Sequence, residues 1–274
     1  MENIKTLLPA LTKEQVAAVC PQAFASKPSN NVSDKYVFVN TESIMDDMQA
    51  LGWYPVSAKQ RKPRPGVHTR FSSHMIIFQN PDLQITSEEE KLAPSIILIN
   101  SHDGTRTFQF RMGIYRLVCS NGLVIPEEEY TSFRIRHMGY TFDQLKESMT
   151  KAVERISEKV QVINQMIEKQ LTEQEQMDLA LRALLIRSGV NTETVEAPKY
   201  SEESLKEVLR PTREEDKGDN LWVVFNRIQE AVTRGGFRVG VDGEKARPLN
   251  KIKSFEKDFK VNEELFEAAL EVLN

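Results

Sequence analysis

Ser95-Ile96-Ile97-Leu98-Ile99-Asn100, then Asp103-Gly104, then Thr105-Arg106-Thr107-Phe108-Gln109-Phe110 is the stretch that decides the fold. Both runs are short, rich in β-branched and aromatic residues and separated by a turn signal, which predicts two antiparallel strands. An Asp-Gly pair accepts the positive φ angles of a type I′ turn, so a two-residue hairpin loop is expected at 103–104. Arg70-Phe71-Ser72-Ser73-His74-Met75-Ile76-Ile77-Phe78 reads as a strand before them, and Tyr130 to His137 as one after them, with Asn121-Gly122 as a turn between. Together these give a mainly antiparallel sheet of about five or six strands.

Toward the N-terminus, Thr12-Lys13-Glu14-Gln15 has capping-box spacing and opens a short helix ending near Val19. Tyr36-Val37-Phe38-Val39 reads as a strand, and Asn40-Thr41 starts a helix over Glu42 to Leu51, closed by Gly52. Toward the C-terminus, Leu145, Met149, Ala152, Val153, Ile156, Val160, Ile163 and Ile167 form an apolar stripe. That stripe predicts one long helix over 142–170, expected to cover a sheet face because it needs an apolar partner.

Further helices are predicted from Thr172 to Ile186, Ser201 to Arg210 and Asp219 to Arg234. The Gly-rich, basic stretch Phe237 to Lys253 reads as a loop, and Asn262 as the cap of a last helix, Glu263 to Leu273. The fold class is α+β: a mainly antiparallel N-terminal sheet packed by a long helix, followed by a helical C-terminal half. The expected division is 1–140 and 141–274, packed as one unit.

The 274 residues are 40% hydrophobic and 28% charged with a net charge of -4, the composition of a soluble globular protein. No apolar run reaches the ~18 residues of a membrane span. Met1-Glu2-Asn3-Ile4-Lys5 lacks the pattern of a secretory signal, which favours a cytoplasmic protein. Cys20 and Cys119 are too few for a disulfide framework and form no C-x-x-C pair.

Charge is unevenly distributed. Residues 48–81 hold no Asp or Glu but include Lys59, Arg61, Lys62, Arg64 and Arg70; 104–126 carries Arg106, Arg111 and Arg116, and 130–142 carries Arg134 and Arg136, again without acids. On neighbouring strands these side chains would line one face and attract phosphates, with Trp53, Tyr54 and Tyr115 as stacking surfaces for unpaired bases. Strands also expose charges and bury aromatics routinely, and Phe108 and Phe110 share the parity of core residues.

His102, Asp103, Cys119 and His137 are the candidates for catalysis, but sequence spacing does not bring a nucleophile and base together. Asn100, His102, Asp103 and Asn121 also suit hairpin ends, where such side chains bond local backbone. No Walker A, G-x-G-x-x-G, H-E-x-x-H or G-x-S-x-G motif occurs, and no ligand spacing marks a metal. No cofactor is expected, and the reading leans away from an enzyme.

The run Asn100-Ser101-His102-Asp103-Gly104, followed by Phe110 and by Gly113 through Arg116, Cys119, Asn121-Gly122 and Val124, resembles the phage/plasmid-like protein family of unknown function, the YafZ-like prophage proteins. The resemblance extends to Tyr36, His74-Met75, His137, Asp219, Leu221-Trp222, Gln229-Glu230 and Gly235-Gly236. It implies a setting on phages, prophages and plasmids and no established activity. A looser likeness of architecture is to phage single-strand annealing proteins.

The leading expectation is a mobile-element protein that binds single-stranded DNA non-enzymatically, for annealing or protection, and that forms homo-oligomers. A second is an anti-defence protein that binds a host defence or recombination protein. A third is a His/Asp-dependent nuclease or nucleotide hydrolase. None involves a membrane.

Overall fold

A computed structural model describes the backbone of residues 9–34, 36–60, 71–83, 85–86, 91–106, 108–116, 122–124, 134–135, 141–190, 197–241 and 245–274. The chain divides into two compact units, Met1–Ile156 and Ser157–Asn274. The division falls inside a helix rather than at the 140/141 boundary that composition suggested.

In the first unit, helix α1 (Lys13–Val19) begins with the expected capping box, Thr12 and Gln15 each bonding the other's backbone N–H. Helix α2 (Thr41–Ala50) is capped by Asn40, whose side chain accepts from Glu42 N and Ser43 N. Tyr36 to Val39, expected as a strand, has no regular secondary structure and joins no sheet. Tyr36 instead donates its hydroxyl to Ser101 O at 2.9 Å, so the segment is held by side-chain contacts.

The sheet contains β1 (Tyr54–Gln60), β2 (His74–Gln79), β3 (Ile85–Thr86), β4 (Lys91–Asn100), β5 (Phe108–Arg116), β6 (Gly122–Val124) and β7 (Arg134–Ile135). All described pairings are antiparallel, in the order β1-β2-β4-β5-β6, with β3 on β4 and β7 on β5. β1 bulges between Pro55 and Ser57. Pro94 lies on β4 between the stretch paired to β2 and the stretch paired to β3, opposite Ile114 of β5.

Every residue of β2 is buried, as are the described side chains of β4. Both faces of the central strands are therefore covered, which is why these strands read as continuous apolar runs rather than alternating ones. Phe108 and Phe110 are fully buried and meet edge to face at 4.9 Å.

The 103–104 turn is not the tight hairpin that Asp-Gly predicted. Gly104 has φ +74°, but Asp103 does not share the positive φ that a type I′ turn requires at both positions. The strands end at Asn100 and Phe108, leaving a wider loop. That loop is docked elsewhere: His102 N donates to Phe71 O, and His102 O accepts from Ser29 N, both at 2.8 Å.

Helix α3 (Phe142–Glu168) spans the division, with Leu145 and Met149 buried in the first unit and Ile163 and Met166 in the second. The second unit continues with α4 (Glu173–Ser188), α5 (Glu202–Val208), α6 (Leu221–Arg234) and α7 (Phe255–Leu273). Thr172 and Glu175 form a capping box for α4, and Gly189 ends it in the left-handed conformation. The core is built on α6, where Trp222 stacks on Phe225, and Phe225 meets Phe266 of α7 edge to face.

Two expectations change here. Phe237 to Lys253 is not simply a loop, because β8 (Phe237–Val239) and β9 (Arg247–Leu249) pair as an antiparallel ribbon. Gly235 makes this possible: its φ is +61°, and a Cβ there would lie 2.2 Å from Leu249 O. Asn262 does not cap the last helix, which Ser254 caps; it lies inside α7, donates to Asp258 O at 2.8 Å and accepts from Gln229 Nε2.

Candidate functional site

The sequence signature around Asn100 and His102 folds into a buried polar cluster at one end of the sheet. Register sets His74 of β2 opposite Asn100 of β4. The first turn of α2 places Thr41 against both side chains, and the docked loop brings in His102. Thr41, His74, Asn100, Ser101 and His102 are each 0% exposed. The rings of His74 and His102 are 5.0 Å apart, and Phe38 packs against His102 at 4.8 Å.

The hydrogen bonds determine the tautomers. His74 Nδ1 lies 3.3 Å from Ser72 O, which can only accept, so Nδ1 carries the proton. Nε2 then accepts the Thr41 hydroxyl at 2.9 Å. Asn100 Nδ2 donates to Thr41 Oγ1 at 3.0 Å and to Val39 O at 3.2 Å. With its one proton given to His74, Thr41 Oγ1 accepts from His102 Nε2 at 3.4 Å. One hydroxyl thus joins β2, β4, the docked loop and α2.

Burial holds His74 down to about 4, against weaker opposing effects of the Ser72 carbonyl and the Asp103 charge. The imidazole is therefore neutral at physiological pH. Asp103 Oδ1 accepts from Thr105 N at 3.0 Å and from Thr105 Oγ1 at 2.5 Å, a local turn contact. The cluster thus behaves as a buried hydrogen-bonded network around a neutral His74 that fixes two segments against the sheet. Among the described residues no group of three or more His, Cys, Asp or Glu side chains is placed to hold a metal ion. Cys20 is a buried free thiol, which burial raises to about 11.

Of the other predicted site residues, Arg61, Lys62, Arg64, Arg70, Cys119, Asn121, Arg136 and His137 lie outside the described residues, and the side chains of Tyr115, Arg116 and Arg134 are likewise not described. Lys59 is exposed, while Arg106, Arg111 and Tyr54 are partly buried. Trp53 is a correction: at 2% exposure it belongs to the core and offers no stacking surface.

The described cations do not form one continuous row either. Lys59 pairs with Met75, which pairs with Ile99, while Arg111 pairs with Ile97. Met75, Ile97 and Ile99, all buried, therefore lie between Lys59 and Arg111 on their shared face. Position 116 pairs with Leu92 and falls on the opposite face.

Sequence reasoning missed Thr41, which it read only as part of a helix start, and a second buried network in the helical unit. There Arg213 donates Nη1 to Asp216 at 2.9 Å and grips Glu230 with both Nη1 and Nη2, at 2.6 and 2.7 Å. Arg234 donates to the same Glu230 carboxylate. Asp216 and Glu230 are 2% and 9% exposed. The Gln229-Glu230 pair was visible in the resemblance, but Arg213, which joins Glu230 to Asp216, lies too far away along the chain to be deduced.

With this geometry in place, the chain belongs to the family described as "Domain of unknown function (DUF932)", which it matches over residues 28–265. Two curated relatives come from Escherichia coli (strain K12). It is 31% identical over 263 residues to UPF0380 protein YfjQ and 30% identical over 260 residues to UPF0380 protein YafZ, covering 93% of this chain and 89% of each relative. No solved structure matches it.

Proposed function

We propose that the protein binds single-stranded DNA without chemically altering it and assists its annealing or protection. One observation carries this reading: the acid-free stretch 48–81, with its five cations in the sequence, includes β1, the terminal strand of the described sheet order, on which Lys59 is exposed. Cations with no carboxylate nearby in the chain are suited to displacing counterions from phosphates. Tyr54, half-buried on β1, adds a ring beside them. The sealed His74–His102 cluster, with His74 neutral, supports a scaffold role for the signature rather than a catalytic one.

The test is a salt titration of the full chain against labelled single-stranded DNA, duplex DNA and RNA. It compares wild type with a folded Arg61→Ala, Lys62→Ala, Arg64→Ala, Arg70→Ala variant. Single-strand affinity should fall steeply with salt, and the variant's slope should be shallower by about three units, at ~0.7 per lost contact. No single-strand retention by wild type at low salt sinks the reading and turns attention to a host-protein partner.

A further inference from the structure

The second unit carries its own concentration of positive charge, in a place the proposed single-strand site does not use. Between β9 and the first turn of α7 the chain reads Asn250-Lys251-Ile252-Lys253-Ser254. Ile252 is 9% exposed and its N–H donates to Thr233 O at 2.9 Å, so this residue anchors the segment inward. Lys251 and Lys253, on either side, are exposed. Lys245 precedes β9 and Lys257 lies one turn into α7, and both are exposed as well.

These lysines differ from three others in the same unit. Lys206, Lys217 and Lys260 lie 2.5, 2.6 and 3.4 Å from Glu202, Glu214 and Glu264. Among the described residues, Lys245, Lys251, Lys253 and Lys257 have no carboxylate within ion-pair distance. A further cation lies near Lys257: Arg187 is tied by its guanidinium to Val232 O and Asn250 O, both at 2.8 Å, with Asp258 as the nearby anion. Burial, and then the charge of Arg187, push the Lys257 ammonium below its ordinary value. The repulsion between Arg187 and Lys257, only partly offset by Asp258 and Glu256 in the same turn of α7, is relieved by a polyanion.

We infer that the corner formed by β9 and the start of α7 is a contact surface for the phosphate backbone of duplex DNA. The inference goes beyond the single-strand reading and stands without it. Duplex is favoured over single strand for two reasons. Among the described side chains near this corner, Phe237 is half-buried and Phe259 is 7% exposed, so no described aromatic ring is freely available to stack on unpaired bases. A surface that works through charge alone gains most from the denser phosphates of a duplex, one charge per ~1.7 Å of axis.

The experiment measures affinity of the full chain for a labelled duplex and a labelled single strand across a salt series. It uses wild type, a Lys245→Gln, Lys251→Gln, Lys253→Gln, Lys257→Gln variant, and the arginine/lysine variant of 61–70 described above. All four substituted lysines are exposed, and thermal melting verifies that the variants fold. The lysine variant should lose about three to four units of salt slope on duplex, at ~0.9 per contact, with its single-strand slope unchanged. The 61–70 variant should show the opposite pattern. An unchanged duplex slope in the folded lysine variant, or no duplex retention by wild type at low salt, overturns the inference. Failure of the single-strand reading shows separately, as absent single-strand binding by wild type.

Discussion

Thr41, a neutral His74, Asn100 and His102 meet in the sheet unit, whereas Arg213, Asp216, Glu230 and Arg234 meet in the helical unit as two cations and two anions. The first cluster is fully buried and linked through a single hydroxyl. The ionic one keeps its arginines partly hydrated, at 26% and 37% side-chain exposure, while its carboxylates are enclosed. Charge is thus tolerated where long guanidinium arms can reach water, and excluded where short side chains are sealed between sheet and helix. The two units should accordingly fail under different stresses.

Removing one ionic partner should have the largest effect. Glu230→Ala leaves Arg213 and Arg234 without their shared acceptor, and the helical unit should lose about 3–4 kcal/mol, measured by urea unfolding. A loss below 1 kcal/mol would mean that hydration of the arginines replaces the pair.

Acid should act on the first cluster instead. His74 is held at about 4 when folded against 6.5 in its ordinary state. Above pH ~6.5 both states are neutral and the cluster's contribution is complete. As the pH falls further the unfolded chain takes up a proton that the folded one refuses, so stability declines until about pH 4. Between pH 7 and pH 5 this contribution costs about 2 kcal/mol. A His74→Gln variant should lack that part of the decline; matching pH profiles for wild type and variant would contradict it.

A smaller change distinguishes the hydroxyl from its surroundings. Thr41→Val keeps the shape and removes the group bonded to His74, Asn100 and His102, for an expected cost of about 1–2 kcal/mol. Thr41→Ser should recover most of it. Equal stability of the valine and serine variants would show that packing, not hydrogen bonding, holds α2 to the sheet.

Much of this architecture was legible because it depends on neighbours in sequence. Thr12, Asn40 and Thr172 cap helices through contacts within three residues, and the runs at His74 and Ile96 form strands as their composition demands. Misreadings arose where a distant partner overrode a local signal. Asn262 resembles a cap but is held inside α7 by Gln229 and Asp258. Asp103-Gly104 resembles a tight hairpin, yet Phe71 and Ser29 hold the loop open. The glycines flanking Phe237 suggested a loop, while Gly235 in fact lets β9 approach closely enough to pair.

The candidate site was half visible in the same sense. Asn100 and His102 stood out as a signature, and His74 in the resemblance, but their meeting depends on strand register and on Thr41, a residue with no distinguishing local pattern.

The arrangement around Thr41 also makes the molecule its own reporter. A hydroxyl proton normally exchanges with water too quickly to be seen, but this one is donated to a ring nitrogen inside a cluster that solvent does not reach. It should persist as a discrete resonance in a proton spectrum. Its disappearance after transfer to heavy water would time how often the helix lifts from the end of the sheet.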